Sequence, residues 1–308
     1  MRVKRTVVLI VPVVVVFFIA WYTWDAERKD PAKSTDSELA VAHIHGMGYT
    51  PEGLLAFAAH SGLRVYDGKR WTVPPGERHD YMGFTMTDDG FYASGHPAPG
   101  SKLQNPLGLV KSSDLGQTLD MLDLYGEVDF HVLTAGYRSH RIYVYHSEPN
   151  RRLPSVGLYV SADEGKTWQK RAMKGLGGKV LFLAAHPEND RVVAAATEEG
   201  AFVSFDDGET FQPLRVSGTV TALAFDLEGR LWLGVYGQEA ALITIDVKTG
   251  TSAPMPLPSL GDDPVQWISV HPATDHAFAI ATARRYLYVT DDGGKRWEAV
   301  MKEGYPLR

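Results

Sequence analysis

Beyond residue 40, apolar residues come in short runs broken by Gly, Asp, Asn or Pro, and helical periodicity is nearly absent. The stretch 179–215 shows the grammar. "KVLFLAAHP", "DRVVAAAT", "GAFVSF" and "TFQPLR" are four successive apolar runs rich in Val, Phe, Leu and Ala. Each has the length and composition of a β-strand bounded by turn residues. The pattern recurs. "SADEGKTW" (161–168) is echoed by "SSDLGQTL" (112–119), "SFDDGETF" (204–211) and "TDDGGKRW" (290–297). The copies start 49, 43 and 86 residues apart, and 86 is twice 43. One worn copy is therefore expected in the last gap, where "LITIDVKTG" (242–250) fits, and "LRVYDGKRW" (63–71) supplies another before the first. Six units of roughly 40–50 residues fall in the range of propeller and solenoid repeats. Four strands per unit predict an all-β, six-bladed β-propeller over 40–301, followed by a tail over 302–308.

The N-terminus follows another pattern. Arg2, Lys4 and Arg5 precede an uncharged run from Thr6 to Trp24 that ends in Trp21, Tyr22 and Trp24. This is about the length needed to span a bilayer, with basic residues on the cytoplasmic side and an aromatic belt at the far end. A signal-anchor transmembrane helix over 1–24 is expected over its rival, a cleaved signal peptide, because bulky "AWYTWDA" lacks a small-x-small site. Residues 25–39 are polar and charged and read as a tether. The expected location is the cell membrane, single-pass, with the propeller on the extracytoplasmic side.

Composition narrows the chemistry. The 308-residue chain has a net charge of −6 and no long basic run past its N-terminus, which argues against nucleic acid as a partner. It has no cysteine, so disulfides, thiolate catalysis and Cys-ligated zinc are excluded.

The Ser/Thr-x-Asp-x-Gly-x-Thr/Arg-Trp pattern resembles the Asp-box, or BNR, repeat of sialidases and related propellers. The resemblance implies a turn between the third and fourth strands of each blade. Asp114, Asp163, Asp206 and Asp292 would accept backbone N–H groups within the turn, as Asx residues do. Gly116, Gly165, Gly208 and Gly294 would supply positive φ. Trp168 and Trp297 would pack between sheets. The chain as a whole resembles bacterial membrane-anchored Asp-box propellers that carry a sialidase-like or glycosylhydrolase label, a label that follows fold rather than site.

A sialidase site would need three arginines on a carboxylate, a Tyr/Glu nucleophile pair and an Asp acid. The family's first arginine lies in an Arg-Ile-Pro motif, and "AHIHGMGYTPEG" (42–53) stands there instead. Arg64, Arg78, Arg151, Arg152, Arg284 and Arg285 fall mostly in charged loops, and Tyr236 with Glu239 could imitate the nucleophile pair. A general glycoside hydrolase, the alternative activity, would need two carboxylates across a cleft, for which Asp80, Glu127, Asp129 and Glu148 are candidates.

The histidines carry the sharper signal. If first strands run from the top of the propeller to the bottom, His43, His45, His60, His79, His96, His131 and His146 all map to the top of blades one to three. His140, His186, His271 and His276 fall near bottom turns. Neutral imidazole is the commonest ligand for zinc and copper. Met47, Met82 and Met86 lie on the same strands and would suit copper, although strand methionines more often pack. The expected ligands are His43, His45, His60, His96, His131 and His146, with copper or zinc as the ion; His79, in "GERHD", is expected to be solvated. The predicted function is a membrane-tethered propeller binding a metal ion, small ligand or glycan at its top face. A scaffold propeller remains as a third possibility, since the fold also resembles a photosystem assembly factor.

Overall fold

The computed structural model describes residues 36–307. The expected anchor over 1–24 and the tether up to residue 35 lie outside the described residues. The last residues of the expected tether, Asp36–Leu39, form a single helical turn. Everything after it is strand and turn.

Six antiparallel sheets form, each from one continuous stretch of chain with strands in sequence order. The first strands are Gly46–Tyr49, Asp80–Thr87, Leu133–Ala135, Val180–Ala185, Thr219–Phe225 and Val265–Val270. Each contacts the first strand of the next blade, and the last contacts the first, so the six make a closed ring. This is the six-bladed propeller that the repeat spacing predicts. The four runs read in 179–215 become Val180–Ala185, Val193–Thr197, Gly200–Ser204 and Gln212–Pro213.

The cores lie between blades. Strands such as Leu55–Ala59, Val193–Thr197 and Phe278–Thr282 are buried along their whole length, because sheets cover both of their faces. Rings pack across the sheets, with Phe57 against Trp71 at 5.5 Å and Trp232 against Phe278 at 4.8 Å.

The four Asp-boxes share one geometry. In 161–168, Thr167 donates its N–H to Asp163 Oδ1 at 2.8 Å and its hydroxyl to Oδ2 at 2.7 Å. Ser161 donates to Asp163 Oδ1 at 2.9 Å and accepts the Gly165 N–H at 2.8 Å. Asp114 and Asp206 repeat this with Thr118 and Thr210. In the last box Arg296 replaces threonine, donating its N–H and its Nε to Asp292, both at 2.9 Å. The worn copies keep a shorter cap: Asp67 Oδ1 accepts from Lys69 and Arg70, and Asp246 Oδ1 from Lys248 and Thr249.

The glycine is not alone in the left-handed region. The residue before it joins it there, as Leu115, Glu164, Asp207 and Gly293. At Gly208, with φ +90°, an added Cβ would also sit 2.4 Å from Leu158 Cδ2 in the neighbouring blade. Gly208→Ala should therefore cost at least the ~1–2 kcal/mol of left-handed strain. Chemical denaturation would read this as a lower midpoint at unchanged slope, and an unchanged midpoint would refute the turn geometry.

Among the described residues, ring closure uses no strand exchanged between the two ends of the fold. Tyr305–Pro306, in the segment expected as a tail, adds a fifth strand to blade six. Val41 then donates its N–H to Gly304 O at 2.8 Å, Trp71 donates Nε1–H to Val300 O at 3.0 Å, and Trp267 donates to Ile44 O at 3.1 Å.

Candidate metal centre on the top face

The segment "HIHGMGY" carries two separate demands. Gly46 and Gly48 sit where the first strand of blade two passes closest. An added Cβ would lie 2.6 Å from Phe84 O at Gly46 and 2.4 Å from Met86 Cγ at Gly48. The glycines thus serve blade packing. Met47 and Met86 belong to the same packing: both are buried in apolar clusters and line a central cavity of about 160 Å³ with Leu133, Leu183, Leu223 and Ile268. Thioether ligation by these two has no support in their surroundings.

The histidines do the other work. His45 stands just above the first strand of blade one, and His60 just past the end of its second strand. Asp80 begins the first strand of blade two. These three converge. His45 Nε2 lies 3.3 Å from His60 Nδ1, His60 Nδ1 lies 2.7 Å from Asp80 Oδ2, and His45 Nε2 lies 3.6 Å from Asp80 Oδ1. The His43 ring packs edge-on to His60, with centroids 5.0 Å apart. Asp80 Oδ1 is buried and accepts no hydrogen bond.

A second group adjoins the first. His131 Nε2 lies 2.7 Å and His96 Nε2 3.2 Å from Asp129 Oδ2. The groups meet because Asp80 and His96 face each other directly across the first ladder of blade two.

Burial and charge set the protonation. Burial, with the neighbouring His60, pushes His45 down to about 4. The hydrogen bond to Asp80 holds His60 above the ordinary histidine value. Burial alone would raise the Asp80 carboxyl, but the His60 hydrogen bond and the charges of His60, His45 and His96 bring it below the usual range. The hydrogen bond to Asp129 raises His131.

Two top-side histidines stand apart. His146 is 2% exposed and packs between Phe130 and Tyr159. The last ladder pair of the blade-three first strand is Leu133 with Val144, and Val132 O still accepts the Tyr145 N–H at 3.0 Å; above it the His131 side chain is 61% exposed while His146 stays in the core. His79, expected in solvent, is buried instead; its ring packs on Tyr81 and its Nδ1 accepts the Ala98 N–H at 3.0 Å. The polar neighbours in "GERHD" hid this inward position. At the bottom, His186 and His271 accept turn N–H groups from Asn189 and Ala273, as expected of "HP" turns.

A bottom-face group, Asp88, Asp89 and His140, also has metal-ligand spacing. There Lys111 Nζ already reaches Asp89 Oδ2 at 2.7 Å and Glu164 Oε1 at 2.8 Å, so an ammonium supplies the positive charge. Of the arginines considered for a carboxylate clamp, Arg64 is buried under backbone carbonyls, Arg78 pairs with Glu38, Arg152 with Asp123 and Arg284 with Asp262. Arg64 and Arg78 both meet Glu38, one at its carbonyl and one at its carboxylate, and Arg152 and Arg284 pair with other carboxylates.

Asp80 and Asp129 entered the sequence argument only as possible glycosidase carboxylates. The available signal was positional: Asp80 begins a first strand, and Asp129 is two residues from His131, just before another.

The BNR/Asp-box repeat family matches residues 159–170. No curated protein matches the chain. Among solved structures, the chain is similar to the GH74 xyloglucanase from Xanthomonas campestris, with 18% identity and a TM-score of 0.53. That likeness covers 85% of this chain and 46% of the enzyme, so the chain spans less than half of the enzyme's length. It is also similar to YCF48 bound to a D1 peptide, with 16% identity, a TM-score of 0.50, and 84% and 81% of the two chains covered. YCF48 from Cyanidioschyzon merolae gives 13% identity, a TM-score of 0.50 and 85% coverage of both chains. At these identities the likeness shows the fold.

Proposed function

We propose that this protein is a membrane-tethered, extracytoplasmic propeller that binds Zn²⁺ or Cu²⁺ at its top face through His45, His60 and Asp80, with His43 beside them. The carrying observation is the convergence of two imidazole nitrogens and one carboxylate at 2.7–3.6 Å. Ligands about 2.0–2.1 Å from a tetrahedral metal stand about 3.3–3.4 Å apart, so an ion is seated once the His60–Asp80 contact opens by about 0.6 Å and the His45–Asp80 contact closes by a few tenths. Imidazole with carboxylate and no thiolate suits these two metals. Three protein ligands leave a position open for a small ligand, as in catalytic zinc sites. The buried, unpartnered Asp80 Oδ1 is a ready acceptor of positive charge.

Asp80 and Asp129 are each engaged by imidazoles, which disfavours them as a free acid–base pair for glycoside hydrolysis. The test is calorimetric titration of the purified, metal-stripped protein at about pH 7.5, above the unperturbed histidine pKa. Saturable binding at this position should be lost in the double variant His45→Ala, His60→Ala, lowering the bound ions by one, and the stoichiometry should be unchanged in His186→Ala and His271→Ala. Absence of saturable binding in the unaltered protein would end the proposal.

A further inference from the structure

We infer that the top face holds a second cation position, formed by His96, His131 and Asp129 and adjoining the first; this rests on the metal reading above. Asp129 is the centre of this group. Its side chain is 15% exposed, its Oδ2 meets both imidazoles, and its Oδ1 is buried without a hydrogen-bond partner. A carboxylate so placed, with one oxygen idle, is set up for a positive charge larger than one shared proton.

His96 is oriented for that charge. Its Nδ1 lies 2.7 Å from Asn105 Oδ1. An amide oxygen only accepts, so the Nδ1 carries the proton. In neutral His96 the Nε2 lone pair then points at Asp129 Oδ2, 3.2 Å away. Two acceptors at that separation repel unless a cation lies between or beside them. An outer partner that fixes the tautomer while the other nitrogen faces inward is the usual arrangement around a metal-bound histidine. His131, with its side chain 61% exposed, is free to move toward an ion held by the other two.

The two positions lie side by side, because Asp80 of the first faces His96 of the second across one ladder. Each offers two imidazoles and one carboxylate. The pair of carboxylates balances two of the four charges of two divalent ions. The remainder is left for water, hydroxide or a bridging anion such as inorganic phosphate.

The full-length protein, stripped of metal and titrated with Cu²⁺, tests this by stoichiometry and by electron paramagnetic resonance. Two ions per chain are expected, with dipolar broadening between them. Asp129→Asn should leave one ion and remove the broadening, and so should His60→Ala. Asn105→Ala removes no ligand and should weaken only the second ion, by about 10–100-fold. Circular dichroism confirms that each variant is folded. One ion per chain that is indifferent to Asp129→Asn would overturn the second position alone. A single ion per chain that is abolished by substitution in either group would mean a single shared centre and would also overturn it. No bound ion would instead refute the underlying metal reading.

Discussion

Affinity for Zn²⁺ should fall about tenfold for each pH unit below the pKa of His60, because one proton must leave for one ion to bind. The two first-position histidines contribute unequally. His60 faces Asp80, His45 and His43, and its bond to the Asp80 carboxylate holds its pKa above the ordinary value. Protons therefore compete with the metal from a higher pH than at an isolated histidine. His45 is pushed down to about 4 by burial and stays neutral over the same range. The slope should accordingly be near one proton per ion at mildly acidic pH and steepen toward two only near pH 4. Calorimetry in buffers of different ionisation enthalpy counts these protons directly. A pH-independent affinity between pH 5 and 7, or release of two protons at pH 6, would contradict this protonation pattern. The same shifts act oppositely on stability. His45, depressed, costs stability as pH falls through the unfolded value toward 4, while His60, raised, loses its contribution as pH rises through its folded value.

Asp207→Ala should lower stability by about 3–5 kcal/mol, the range for stranding one side of a buried ion pair. Asp207 is the left-handed residue of the third Asp-box, and its side chain is 8% exposed. It joins blade four to blade three through Arg141, Arg171 and the Tyr143 hydroxyl, the last at 2.8 Å. Its removal leaves Arg141 without its paired carboxylate and Arg171 with only Glu209 Oε1, 3.3 Å away, both guanidinium groups being no more than 16% exposed. Asp207→Asn should cost less, since the amide oxygen still accepts. Metal binding should be unchanged at temperatures where the fold persists, because the network lies on the Asp-box face. Denaturant titration decides it. A loss under about 1 kcal/mol, typical of exposed pairs, would show that solvent reaches the cluster.

The repeat made the fold legible. Four boxes with near-equal spacing set the blade count, and even the worn turns at Asp67 and Asp246 keep their caps. The same phase placed His45, His60, His96 and His131 at one end of neighbouring blades. It could not tell which way a side chain turns there. His146 ends a second strand as His96 does, yet its ring goes into the core between Phe130 and Tyr159. Nor could repeat phase weigh Asp80 against other loop carboxylates. Its role depends on facing His96, a matter of ladder register rather than of residue type. Arg64, between Leu63 and Val65 on a buried strand, is nearly fully buried because the carbonyls of Ser61, Leu63 and Glu38 wrap its guanidinium.

The seam between blades six and one has a mechanical meaning. Many closed rings are latched by a blade woven from both chain ends, so that the closing joint differs in kind from the rest. Here, among the described residues, every blade is spun from its own stretch, and the seam holds through one main-chain bond, two indole donors laid on carbonyls, and an apolar cluster that packs Leu55 and Phe57 with Leu287 and Met301. Val41 and Gly304 touch, so the two ends of the folded unit already meet. The ring is therefore cyclically equivalent in its wiring: a covalent bridge across this seam and a cut in any rim loop would give a permuted chain with the same six sheets, the same ladders and the same facing of Asp80 to His96.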